Sequence, residues 1–421
     1  MVFKPVYLLI LIVVILIDYF AGIRIEQSSH HKKKWLLTSL ISNLLILFFF
    51  KYFNFFNESI HSIFGLNGDS RLFPLLEVAL PVGLSFHTFQ AMSYTIEVYR
   101  GKQPAERNLL HYSIYVLYFP QLVAGPIERP QNLLGQFRKK ISFDWNNLRE
   151  GMLLVALGLF KKVVIADRLA LLVDPVYNNI ESSNGLSVLF ATIFFAFEIY
   201  CDFSGYSTMA IGLSKMMGID LMQNFNFPYS ASSLREFWSR WHISLSTWFR
   251  DYVYVPLGGN KTTSWKWARN ILIVFLLSGL WHGANWTFVV WGAIHGVGLL
   301  IERMMVKKQS VTWKWPLRFI VFAFVCFAWI FFVSKNMHDA FTAIHHITHL
   351  SIQNKLPEIF HTGVLPISIF MAAALFFAEP IISSILKKQQ IQLKFVLSIA
   401  IFFLAYILGE YSMKPFIYFQ F

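Results

Sequence analysis

Cysteine is nearly absent from this chain: two residues, Cys201 and Cys326, in 421, both inside apolar stretches. That excludes a disulfide framework and leaves no ligand spacing of the zinc type. Charge is scarce too, at 14% against about 25% in an average soluble protein. Hydrophobic sequence takes its place, at 56% of residues, with 44 Phe, 17 Tyr and 13 Trp. Long apolar runs exclude an ordinary soluble domain and indicate a polytopic membrane protein whose aromatics suit lipid-facing surface and interfacial belts.

The net charge of +13 does not point to nucleic acid. The basic residues fall in short clusters between apolar runs, at Lys32–Lys34, Arg138–Lys140, Lys307–Lys308 and Lys387–Lys388. Cytoplasmic loops facing anionic lipid have that pattern, so the bilayer is the expected partner. At the start, Lys4 and an apolar run to Ile17 lead into Asp18, Tyr19 and Phe20 rather than into small residues. A retained first span is expected, not a cleaved leader.

A spanning helix needs about 20 mainly apolar residues. Segments 3–23, 35–53, 73–98, 151–173, 187–212, 317–333, 363–384 and 394–412 qualify. Residues 109–125 are short and end in "AGP", which suggests a re-entrant segment, and residues 271–300 are interrupted at "SGLWHGAN". No repeat, low-complexity tract or linker divides the chain. It reads as one all-α domain over 1–421, with a core at 73–300 completed by helices at 317–412. About nine to eleven spanning or re-entrant segments are expected from these lengths.

Loop charge constrains the path. The loops at 24–34, 100–107, 129–149, 303–318 and 385–394 and the region 215–270 are basic and belong on the cytoplasmic side. One crossing by 271–300 would put 303–318 outside. The conflict vanishes if 271–300 enters, breaks near His282 and returns. Irregular backbone at membrane depth is tolerated only where protein or a water-filled cavity surrounds it. His282 is therefore expected near the tip of a break that lines a cavity.

Two segments carry the chemistry. Residues 233–250 read as a helix with Ser233 at its cap, on which Arg235, Ser239, His242 and Ser246 share one face. A basic amphipathic helix on the membrane surface explains the same pattern. In "LSGLWHGANWTFVVWGAIHG" (277–296), His282 and Asn285 can share a helical face. If the helix is continuous, His295 falls almost opposite His282, since each residue turns about 100°. His295 then reads as a packing histidine beside Gly292, Gly296 and Gly298. His282, between Trp281 and Gly283, is as readily functional as structural. A neutral imidazole in a cavity can take a proton from an attacking hydroxyl, which is acyl-transfer chemistry without metal or a Ser or Cys nucleophile. His242 could orient donor or acceptor, and Gly283 and Gly292 would permit the close backbone approach a long substrate needs.

Other polar positions are weaker. His87, Gln90, Tyr94 and Glu97 form a buried stripe at helical spacing that reads as structural. Glu198 and Asp202 lie four apart inside a span, with metal ligation as the alternative, but no matching His or Cys set accompanies them. "HHITH" (345–349) has His346 where the zinc-protease pattern needs Glu. No metal is expected.

"REFWSRWHISLSTWFRDYVYVPLGGN" (235–260) followed by "LSGLWHGANWTFVVWGAIHG" resembles the signature of membrane-bound O-acyltransferases. Within them it is similar to the bacterial branch of alginate O-acetyltransferase membrane subunits and teichoic acid D-alanyl transferases. "LPVGLSFHTFQAMSYTIEVYRG", "FPQLVAGPIERP", "CDFSGYSTMAIGLSKMMGI" and "FIYFQF" extend the likeness along nearly the whole chain. Relatives in the alginate branch usually carry further apolar segments ahead of their counterpart of "DYFAGIRI", whereas here Met1 falls close to it.

The resemblance implies a helical bundle around a funnel, with His282 as the active-site histidine and His242 as the second, branch-specific position. Asn285, Trp281, Arg235, Trp238, Ser239 and Ser246 would shape the substrate tunnel. It further implies no bound cofactor and a thioester donor, acetyl-CoA or acyl carrier protein, presented from the cytoplasm. The implied acceptor is an exported polysaccharide, with a separate extracytoplasmic transferase as partner and the cytoplasmic membrane as location. D-alanyl transfer to teichoic acid is the second enzymatic reading. A polysaccharide transporter with buried histidines as proton relay is a third, though no inverted repeat of the kind many transporters show is visible.

Overall fold

A computed structural model describes residues 6–64, 73–78, 81, 83–122, 125–305, 314–350, 365–370, 381, 384, 391–411 and 416–417. Among them there is no strand. Five helices are long and apolar enough to cross a membrane: Tyr7–Gln27, Lys32–Ile63, Gly185–Met216, Trp286–Met305 and Lys314–Val333. The chain packs as two compact units, residues 1–142 with 219–221, and residues 143–218 with 222–421.

In the first unit, α1 (Val6–Gln27) and α2 (Lys32–Leu47) pack on one another and on α4 (Leu84–Tyr99). A π turn, Phe48–Tyr52, carries α2 into α3 (Phe53–Ile63). The Asp18 carboxylate is fully buried and accepts from Ser39 Oγ at 2.6 Å and Asn43 Nδ2 at 2.8 Å. Ser39 Oγ also lies 2.9 Å from Thr95 Oγ1, so one polar knot ties all three helices. Such knots suit a lipid environment, where no water competes for the partners.

The expected span 73–98 is shorter than its hydropathy suggests. Its helix begins at Leu84, after Gly83 in a left-handed conformation (φ 76°) that residues with a Cβ rarely adopt. The polar stripe on α4 is structural, as expected. His87 Nδ1 bonds Val116 O at 3.1 Å, Gln90 Nε2 donates to Tyr115 O, and Tyr94 Oη accepts from Glu106 N at 2.9 Å. Glu97 accepts from Arg100 and Gln131. The first two bonds satisfy carbonyls at the end of α5 (Leu109–Leu117), which at nine residues is about 14 Å long and too short to cross. α6 (Pro130–Phe137) follows.

The second unit is built on α7 (Trp145–Leu159), which continues through a π turn, Phe160–Ala166, into α8 (Asp167–Asn178) and packs against α9 (Gly185–Met216). Two short helices, α10 (Leu234–Arg240) and α11 (Ile243–Phe249), precede α12 (Ser264–His282) and α13 (Trp286–Met305). α14 (Lys314–Val333), α15 (Met337–Thr348) and α16 (Ile391–Leu408) complete the unit. The helix expected at 394–412 is α16. Most of the segment expected at 363–384, with Lys307, Lys308, Lys387 and Lys388, lies outside the described residues.

The break expected near His282 is present. α12 ends at His282, and α13 returns antiparallel from Trp286. Arg303, at the far end of α13, stacks 3.9 Å above the Trp267 ring near the start of α12. The basic flanks of both legs therefore lie at one end, as the charge pattern required. α13 is about 30 Å long at 1.5 Å per residue, enough to cross, whereas α12, of similar length, carries Lys266, Arg269 and Asn270 in its first half and is not among the five apolar helices.

Backbone contact holds the hairpin together. A Cβ on Gly292 would lie 2.2 Å from Phe275 O, and one on Gly279 2.2 Å from Phe288 O. Gly292→Val must push the legs apart at a cost of about 1–3 kcal/mol or more. Its apparent melting temperature in detergent should fall by several degrees, measured by loss of the monodisperse peak after heating.

Candidate active site

The helix expected over 233–250 is two helices. α10 ends at Arg240, Trp241 is extended (φ −103°, ψ 129°), and His242 is left-handed (φ 41°, ψ 55°) before α11 begins. Periodicity assumed one continuous helix, so the shared face of Arg235, Ser239, His242 and Ser246 does not exist. Holding a non-glycine residue in this region costs about 1–3 kcal/mol and needs surrounding structure to enforce it.

That structure is the segment around Asn224. Ile243 N donates to Asn224 O and Asn226 N to Arg240 O, both at 2.9 Å, so the junction is bonded on either side of His242. The buried Asn224 side chain accepts from Ser244 Oγ at 2.6 Å and donates to Ser207 Oγ on α9 at 3.0 Å. At the other end of α10, Ser233 Oγ accepts from Glu236 N at 3.0 Å. Glu302, from α13, accepts from Leu234 N and Arg235 N. Glu236 is bonded in turn by Arg240 and Ser232.

So held, His242 is fully buried with its ring 6.4 Å from that of His282, which is 3% exposed. An aromatic wall surrounds the pair. Phe203 meets His242 edge to face at 4.6 Å, and Trp281 lies 5.9 Å from it. Trp291 and Phe332 stand 5.0 and 5.4 Å from His282. Two imidazoles on separate helix breaks face one another in an apolar surround, where a proton-accepting nitrogen is screened from bulk water.

His295 joins this cluster because the helix is not continuous. The turn folds α13 back, and Trp291, 5.0 Å from His282, is also 5.0 Å from His295. Trp238 Nε1 donates to His295 Nδ1 at 3.3 Å, which makes His295 Nε2 the protonated nitrogen of the neutral ring. Among the described residues Nε2 has no partner.

The remaining expected tunnel residues divide. Trp281 and Trp238 are in the aromatic wall. Arg235 and Ser239 are exposed on α10, before the break, and Ser239 Oγ is turned to Glu236 O. Ser246 Oγ donates to Trp241 O at 3.2 Å. Asn285 is not on the helix of His282. It lies in the turn, where Oδ1 accepts from Thr287 N at 3.1 Å and Nδ2 donates to Lys335 O at 2.7 Å. It shapes the tip that carries His282.

Asn224, Phe203 and Trp291 do not stand out in the sequence. Phe203 is inside "CDFSGYS", a visible motif, but nothing local ties it to His242. Asp202, considered beside Glu198 as a metal ligand, is bound by Lys162 Nζ at 2.6 Å, and Asp167 by the same nitrogen at 2.8 Å. No group of three or more His, Cys, Asp or Glu side chains suited to a metal ion is assembled among the described residues. In "HHITH", His345 and His349 stack at 4.3 Å.

Residues 7–338 match the family model of the membrane-bound O-acyltransferase family. The chain is 44% identical over 292 residues to the probable alginate O-acetylase of Azotobacter vinelandii, covering 69% of this chain and 58% of that protein. It therefore spans little more than half of that relative's length. It is 33% identical over 377 residues to the peptidoglycan O-acetyltransferase of Helicobacter pylori strain 26695, covering 82% of this chain and 71% of that one. With the teichoic acid D-alanyltransferase of Bacillus subtilis strain 168 it shares 29% over 276 residues, or 61% and 69% of the two chains.

Asn224→Ala tests what holds the junction. It removes the acceptor of the Ser244 hydroxyl and the donor to Ser207, at about 1–3 kcal/mol for each buried group left unpaired. A lower thermal unfolding temperature is expected in detergent, with a larger drop than for Ser239→Ala, whose hydroxyl is exposed.

Proposed function

Since the chain belongs to the membrane-bound O-acyltransferase family, we propose that it is an O-acetyltransferase of the cytoplasmic membrane. It passes acetyl from a cytoplasmic thioester, acetyl-CoA or an acylated carrier protein, toward the hydroxyl groups of an exported polysaccharide. The observation that carries this reading is the apposition of His242 and His282 on two helix breaks inside an aromatic wall. In support, the relatives named for O-acetylation match at 44% and 33% identity, against 29% for the D-alanyl transferase. Acetyl is accordingly preferred to D-alanyl.

In the reaction the acceptor oxygen attacks the thioester carbonyl. The C–O bond forms, the C–S bond breaks, and the sulfur leaves to become a thiol. His282 takes the proton of the attacking hydroxyl as its oxygen gains bonding to carbon, and returns it to the departing sulfur. His242 orients the thioester against it. The acceptor at this site is a hydroxyl of the polymer or of a separate extracytoplasmic transferase that completes the transfer.

Base-labile acetyl on surface polysaccharide, measured in a deletion strain carrying wild type, His282→Ala or His242→Ala, tests this. At equal protein levels His282→Ala should reduce ester by about 10²–10⁴-fold, the usual contribution of a positioned proton acceptor, while polymer export continues. Ester at the wild-type level in His282→Ala would remove the assignment. Loss of export together with ester would favour a transporter.

A further inference from the structure

Asp202 and Lys162 form a buried ion pair on neighbouring helices with no part in the proposed chemistry. Lys162 lies in the π turn between α7 and α8, and its ammonium is shared between Asp167 and Asp202. The second oxygen of Asp202 accepts the backbone N–H of Ile417 at 2.7 Å. Two more bonds hold the end of α16 and the residues just after it. Val163, in the same π turn, presents its carbonyl to Glu410 N at 2.7 Å, and Arg168 donates to Leu408 O at 2.5 Å. The α7–α8 helix thus bonds Leu408 and Glu410, and α9 bonds Ile417.

Beside Ile417, the Phe416 side chain packs toward the site. Phe416 is 1% exposed, its ring 4.4 Å from Tyr206 and 5.9 Å from Phe203. Phe203 is the ring that meets His242 edge to face at 4.6 Å. Asp202, which bonds Ile417, is the immediate chain neighbour of Phe203, which bears on the histidine.

We propose that Phe416, pinned through Asp202, is a positioning residue that backs Phe203 and so fixes the ring of His242 toward His282. This rests on the acyltransferase reading for its effect on rate, but not for its effect on the geometry of His242. A close-packed interior transmits such support: a ring removed behind Phe203 leaves a void into which Phe203 and then His242 can move. The Lys162 pair makes the support rigid, because Asp202 is held from one side by charge and holds Ile417 with the other.

The test uses the full-length protein in lipid nanodiscs, without substrate, treated with diethyl pyrocarbonate. Carbethoxylation of each histidine is read by mass spectrometry. His242 should be protected in wild type and modified about tenfold faster in Phe416→Ala, within the range of coupling between residues in one packed cluster. His295 should stay protected in both. Phe416→Leu, which refills most of the space, should restore protection, and Asp202→Asn should give a rate between wild type and Phe416→Ala. In cells, Phe416→Ala should lower surface ester but cost nothing further in a His242→Ala background. Unchanged protection of His242 overturns the proposal, as does equal exposure of His295, which would signal general unfolding. A wild-type protein that makes no ester removes the acyltransferase reading and leaves the labelling result to decide the geometric claim alone.

Discussion

Every feature of the site depends on one constraint: a helix that stops inside an apolar bundle leaves backbone N–H and C=O groups that only the protein can satisfy. The second unit interrupts its helices at Trp241–His242 and again at Gly283–Asn285. Side chains from other elements meet the exposed groups or brace the ends. Glu302 of α13 takes N–H groups at the start of α10, and Asn224 holds the junction before α11. Asn285 caps α13 while donating to Lys335 O beyond α14. The breaks are thus fixed positions, and a histidine placed on each has a defined partner across from it.

Around these polar supports the packing is almost wholly aromatic. Trp291 touches His282, His295, Trp238 and Phe332, and stacks on Trp329 at 5.8 Å. Rings have few rotatable bonds, so a cluster of them orients a neighbour at small entropic cost. They also exclude water, which strengthens the electrostatic effect of any charge that develops between the histidines. The site therefore combines local backbone irregularity with a stiff surround.

Parts of this were legible in the residues and parts were not. The hairpin at His282 followed from the positions of basic clusters together with glycine and asparagine inside an apolar run, because lipid imposes strong rules on both. The stripe His87, Gln90, Tyr94 and Glu97 was legible as structural for the same reason. Residues 233–250 read as one helix because helical periodicity carries no information about a single left-handed residue such as His242. The bonds that enforce it come from Asn224, Ser207 and Ser244, and no local pattern marks such a long-range agreement. His295 falls opposite His282 only on a continuous helix, and the turn instead sets both against Trp291.

The Lys162 ion pair also bears on how the chain enters the bilayer. Lysine at the centre of a single inserting helix is disfavoured by about 2.5–3.5 kcal/mol, and the helix that carries Lys162 also carries Lys161 beside it. Asp167 on the same helix answers part of that charge, but Asp202 belongs to the next long helix. The α7–α8 helix is therefore least suited to lipid when it leaves the ribosome alone, and becomes suited once α9 is alongside. The ion pair thus ties the burial of Lys162 to the packing of α9 beside it, so neither helix completes its polar partners without the other.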